Sequence, residues 1–196
     1  APSQIAFTVK VHGKASHAGF APQDGVHAIR IAAAAIAEMA IGRIGDDTTV
    51  NVGQIEGGRA SNIVPDYCEV SGELRSFSHK KALEELAKVE QIFAKEAEKR
   101  GGSIEFIPDI CYQAYKTDEN ESVVKEFQKA CTACGIKSSL IATFGGSDQN
   151  KMSEHGIPGI VMASAMHQVH SCQEYTEVSE MAQVAGIVSE LLQMKE

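Results

Sequence analysis

Ile5, Phe7, Val9 and Val11 alternate with Ala6, Thr8, Lys10 and His12, a period of two that fits a strand with one face buried. That face has to be covered, and the sequence supplies covers at helical spacing. Asp24 is placed to cap a helix in which Val26, Ile29, Ala33, Ile36 and Ala40 recur on one side, with Gly42 near its end. Thr48 to Ile55 reads as a second strand, Gly57-Gly58 as a turn, and Tyr67 to Phe77 as a third strand. In that third strand Cys68, Val70, Gly72 and Leu74 share a face opposite Glu69, Ser71, Glu73 and Arg75. Ser78 is placed to cap a second helix with a stripe of Leu83, Leu86, Val89, Phe93 and Ala97. Gly101-Gly102 stops it, and Ile104, Phe106 and Ile110 belong to a closing strand. The order is βαββαβ, the ferredoxin-like arrangement, over residues 1–113.

Residues 114–196 follow another rhythm. A helix over 120–134 ends at Gly135, a strand covers 137–143, a short helix 148–154, and a second strand 157–163. A terminal helix over 176–194 turns Met181, Val184, Val188 and Leu191 inward. This αβαβα run suggests part of an open α/β sheet. Two strands are few for such a sheet, so exposed apolar surface is expected in this half. The chain begins at Ala1 and enters a strand almost at once, which reads as a piece of a longer protein.

Composition narrows the function. A formal net charge of −8, with no Lys/Arg-rich run, argues against nucleic-acid binding, because no basic surplus exists to neutralise phosphates. The five scattered cysteines do not form a secreted disulfide framework, so a cytoplasmic location is expected. Cys131-Thr132-Ala133-Cys134 has CxxC spacing but sits late in a helix without a second pair, and reads as two small side chains on a helix face. The longest apolar run, around Ile31 to Ala37, is too short to span a membrane.

Four clusters carry chemistry. In Gly13-Lys14-Ala15-Ser16-His17-Ala18-Gly19 an imidazole stands among small residues, free to project from a loop. Met166 to Glu174 places His167 and His170 beyond a strand's carboxyl end, where open α/β sheets bind ligands. Phe144-Gly145-Gly146-Ser147-Asp148 joins a strand to a helix and lets a polar ligand approach the backbone. It lacks the lysine of a phosphate loop. Ser61 to Asp66 offers the Asn62 amide as a donor, and Arg75 offers a fork for a carboxylate. Each cluster alone also fits a turn, a cap or a surface ion pair.

Together the stretches GKASHAG (13–19), SNIVPD (61–66), GELRSF (72–77), FGGSDQN (144–150) and HSxxE (170–174) resemble the M20 family of co-catalytic zinc metallopeptidases, closest to its peptidase T-like (tripeptidase) branch. The resemblance implies a ferredoxin-like lid and dimerisation domain over 1–113. It makes 114–196 the C-terminal part of an α/β zinc-peptidase catalytic domain. It implies that His170 is a zinc ligand and that His17 helps polarise the scissile carbonyl, in some members across a dimer. Asn62 and Arg75 would hold substrate backbone and carboxylate, and Gly145, Gly146 and Ser147 would line the substrate. Two zinc ions, a short-peptide substrate and a homodimer are the implied partners.

The family's other zinc ligands and its general-base glutamate have no counterpart here. Glu84-Glu85 lies inside a lid helix, so this chain by itself is expected to be inactive. The alternatives are hydrolysis of N-acyl amino acids, as in other M20 deacylases and carboxypeptidases, and a non-catalytic dimerisation or binding module.

Overall fold

A computed structural model describes residues 1–193. The chain divides into two compact units, Ala1–Tyr115 with Phe144–Gly146, and Lys116–Thr143 with the residues from Ser147 on.

The first unit is built on β1 (Ser3–His12), α1 (Ala28–Glu38), β2 (Gly42–Ile44), β3 (Thr48–Gly57), β4 (Tyr67–Ser76), α2 (His79–Lys99) and β5 (Ser103–Tyr112). The strands form one antiparallel sheet in the order β2-β3-β4-β1-β5. Without β2, a short edge strand the sequence did not signal, this is the ferredoxin-like order. The β1–β4 register sets Ile5 opposite Leu74, Val9 opposite Val70 and Val11 opposite Cys68. All six are fully buried, so the two alternating patterns share one face, and both helices pack against these strands. Burying each such apolar side chain stabilises by about 1.5–3 kcal/mol. Gly72 lies opposite Phe7, and a Cβ there would sit 2.3 Å from the Phe7 ring and 2.4 Å from the Asn51 carbonyl oxygen. The missing side chain is the space the ring fills.

The second helix follows expectation: Ser78 Oγ accepts from Lys81 N at 3.4 Å, and Leu86, Val89, Phe93 and Ala97 are buried. Leu83 is not; Ala82 takes the inward position. The first helix departs further. Asp24 ends a 3-10 turn (Pro22–Asp24), and the cap is His27, whose Nδ1 accepts from Arg30 N. Val26 cannot be helical because its N–H and C=O pair with Lys14 at 2.9 Å. The buried stripe is Ala28, Ile31, Ala32, Ala35 and the flanking Met39, whereas Ala33 and Ala40 face solvent. In a helix this rich in alanine, hydrophobicity does not fix the phase. Small side chains face the sheet because they let the helix approach closely.

The second unit contains α3 (Ser122–Ala133), α4 (Asp148–Glu154), β6 (Met166–His167), β7 (Tyr175–Thr176) and α5 (Val178–Gln193). The expected strands over 137–143 and 157–163 are not formed. A strand is defined by its ladder, and neither segment joins a sheet among the described residues. Several of their apolar side chains stay exposed, Ile141 at 79% and Val161 at 61%, while Met162 packs against the core of this unit. Ala130 and Cys131 pack with Ile187 of α5, so Cys131 is a core residue and its thiol is free. Met181 and Val188, expected inside, are exposed; Ile187 occupies the inward position. Met194, the expected end of this helix, lies outside the described residues. Among the described residues no helix is long and apolar enough to cross a membrane.

Candidate active site

The loop after β1 is stitched to the loop before β4. Gly13 N donates to Asp66 O at 2.8 Å, Val64 N to Ser16 O at 2.9 Å and Ala18 N to Asn62 O at 2.9 Å. His17 and Ile63 thereby form an antiparallel bridge. Arg59 closes the second loop, its Nη2 donating to both Asp66 oxygens at 3.2 and 3.0 Å. The structure therefore brings the backbones of His17 and Asn62, 45 residues apart in sequence, to adjoining positions on an exposed rim. The His17 ring stacks on Phe20, with centroids 4.3 Å apart, and its Nδ1 accepts from Gly19 N at 3.1 Å and Phe20 N at 3.2 Å.

Arg75 sits at the other end of β4. It lies eight positions beyond Tyr67 in the strand, about 26 Å at roughly 3.3 Å per residue. Its Nε donates to Glu73 Oε1 at 2.9 Å and its Nη2 to Glu73 Oε2 at 3.3 Å. Those bonds and the Glu73 charge outweigh partial burial and raise the Arg75 pKa further above its usual value. Nη1 donates to Phe144 O at 2.8 Å. The Phe144 ring lies against Phe77 at 4.5 Å and under the Arg43 guanidinium at 4.5 Å. A Cβ on Gly146 would overlap Tyr112 Oη at 1.7 Å, which explains a glycine there. Arg75 thus meets Gly145-Gly146 through Phe144, but not the His17–Asn62 pair. Arg43 and Glu73 were missed in the sequence because one belongs to an unsignalled edge strand and the other reads as an ordinary outward strand residue.

Ser147 flanks α4, its N–H donating to Asn150 Oδ1 at 3.1 Å. His170 stands exposed in the loop between β6 and β7, at a φ of 65°. Its backbone N–H donates to Glu174 Oε2 at 2.8 Å. His167, at the base of this hairpin, bonds Glu180 Oε2 of α5 through Nε2 at 2.6 Å and stacks on Tyr175. Zinc sites need three or four protein ligands. Among the described residues no group of three or more His, Cys, Asp or Glu is placed to hold a metal. His170 could supply one ligand; these residues do not by themselves make a zinc site.

A family model described as "Peptidase dimerisation domain" matches residues 3–101. Over 193 residues the chain is 34% identical to "Uncharacterized protein YqjE" of Bacillus subtilis, covering 98% of this chain and 52% of that protein. Among solved structures, aminopeptidase PepT from Bacillus cereus is similar at 36% identity and a TM-score of 0.87, over 98% of this chain and 52% of that one. A tripeptidase from Staphylococcus aureus is similar at 31% identity and a TM-score of 0.92, again over 98% and 52%. The chain spans about half the length of these relatives.

Proposed function

Because the chain belongs to the M20 peptidase family, we propose that a protein containing it hydrolyses peptide bonds in short peptides, as an aminotripeptidase does. The observation that carries this reading is the stitching of the His17 loop to the Asn62 loop, with His17 bridged to Ile63 and Ala18 N donating to Asn62 O. Two polar residues on adjoining, pinned loops suit an oxyanion that forms when a carbonyl is attacked. Asn62 would donate its amide and His17 a ring N–H. Arg75 would serve the substrate carboxylate, and Gly145, Gly146 and Ser147 would line its backbone. His170 would be one ligand of a zinc centre, with every other ligand supplied from outside the described residues.

The distance along β4 bears on how such a site is assembled. A tripeptide spans at most about 10 Å, whereas Tyr67, which follows the Asn62 loop, and Arg75 are about 26 Å apart along β4. One copy's His17 and Arg75 cannot hold the same tripeptide. A homodimer in which one copy's His17 faces the other's Arg75 removes the conflict. The outer edge of β3 past Val50 is unpaired among the described residues, since β2 pairs only with Thr48–Val50, and it is a ready surface for such pairing.

The test is steady-state turnover by the active protein containing this chain, with tripeptides, dipeptides and N-acyl amino acids as substrates. Preference for tripeptides is expected, and preference for N-acyl amino acids would overturn the peptidase assignment in favour of a deacylase. His17→Ala should lower kcat by about 10²–10³-fold, the usual loss of one oxyanion donor, with bound metal unchanged by elemental analysis.

A further inference from the structure

The His17 ring is held by three contacts that its role as a polar rim residue does not require. Gly19 N and Phe20 N both point at Nδ1, at 3.1 and 3.2 Å. The Phe20 ring lies along one face of the imidazole, 27° from parallel. The loop closes on itself through Ala21 N donating to the His17 carbonyl at 3.0 Å. Phe20 is 86% exposed among the described residues, and the ring contact it makes there is with His17.

A neutral imidazole carries one N–H and one acceptor nitrogen. Two backbone N–H groups directed at Nδ1 leave no room for a proton there, so the proton of the neutral ring belongs on Nε2. Nε2 has no hydrogen-bond partner among the described residues, and the ring is exposed. We propose that this loop locks His17 as the neutral Nε2–H tautomer and that Phe20 is a positioning residue that sets its ring plane, so that His17 acts as a hydrogen-bond donor and not as a base. In this form Nε2 has no lone pair to accept a proton or bind a metal. It can only donate, which suits a carbonyl oxygen that gains negative charge. The catalytic part of this proposal rests on the peptidase reading above; the tautomer does not.

The tautomer is read directly from the chain labelled with ¹⁵N-histidine, by two-bond proton–nitrogen correlation at the pH of the activity assay. His17→Gln identifies the His17 signals by their loss. A pyrrole-type Nε2 and a pyridine-type Nδ1 are expected. His27, whose Nδ1 also accepts a backbone N–H, should give the same pattern as an internal reference. A protonated Nδ1, with either a neutral or a cationic ring, would overturn the lock.

Positioning is read in the active protein. Phe20→Ala should lower kcat about tenfold or more with KM within about twofold, because small misplacements of a catalytic group are costly in rate. Phe20→Tyr, which keeps the stack, should restore kcat. A wild-type kcat in Phe20→Ala would overturn the positioning role. Wild-type turnover in His17→Ala would overturn the donor's part in hydrolysis while leaving the spectroscopic result intact, so the two failures are separable.

Discussion

At the scale of single residues, local hydrogen bonds set the chemistry of side chains that the sequence lists as ordinary. Tyr67 donates its hydroxyl to Glu69 Oε2 at 2.5 Å, and that bond, with partial desolvation and the Glu69 charge, pushes its pKa up to about 12. The sign follows directly. A folded-state value above the ordinary value of about 10 stabilises the fold fully below pH about 10, and that contribution disappears as pH rises through about 12. Urea unfolding of the wild type should therefore weaken between those values by more than that of Glu69→Gln. Burial also raises the Tyr112 pKa, so tyrosinate absorbance should show two late-titrating tyrosines in the wild type, of which Tyr67 alone moves toward the ordinary range in the variant. Equal titration curves would mean the Glu69 contact does not persist in solution.

At the scale of elements, the β1–β4 pair and α2 carry the first unit. Phe93 is fully buried on α2, and Phe93→Ala should cost about 3–5 kcal/mol in urea unfolding, as large-to-small changes at closed sites do. Gly72→Ala makes the opposite error. Its Cβ meets both the Phe7 ring and a backbone oxygen, so it should destabilise by about 1–3 kcal/mol by overpacking. Combining it with Phe7→Leu should recover part of that loss, since only the ring contact is relieved and the Asn51 carbonyl stays in place. These elements were legible because their patterns are strong: alternation in β1 and β4, a full stripe and a serine cap on α2. The first helix was legible as a helix but not in its phase, because alanine at most positions gives every face a similar hydrophobicity.

At the scale of the whole molecule, the site reading makes a demand on assembly. If His17 of one copy serves the substrate held by Arg75 of another, two separately inactive variants should complement. Mixing His17→Ala with Arg75→Ala after dissociation and reassociation should return roughly a quarter of wild-type activity, because half the dimers mix and each mixed dimer keeps one intact site. No recovery, with mixed dimers demonstrated by mass spectrometry, would sink the shared site. The match to a dimerisation domain over residues 3–101 and the open β3 edge motivate the experiment.

The sequence alone determined the order of strands and helices in residues 1–113 apart from β2, the faces that β1 and β4 bury, and the residue types available for chemistry. Those depend on short-range periodicity and on backbone preferences that neighbouring residues set. It could not determine that His17 and Asn62 share a rim while Arg75 lies a strand's length away, because that follows from the register of β1 on β4. Nor could it show that 137–143 and 157–163 join no sheet among the described residues, since apolar alternation states only that a segment can join a sheet. Whether it does depends on a partner strand that supplies the other half of every hydrogen bond, and only the tertiary structure decides that.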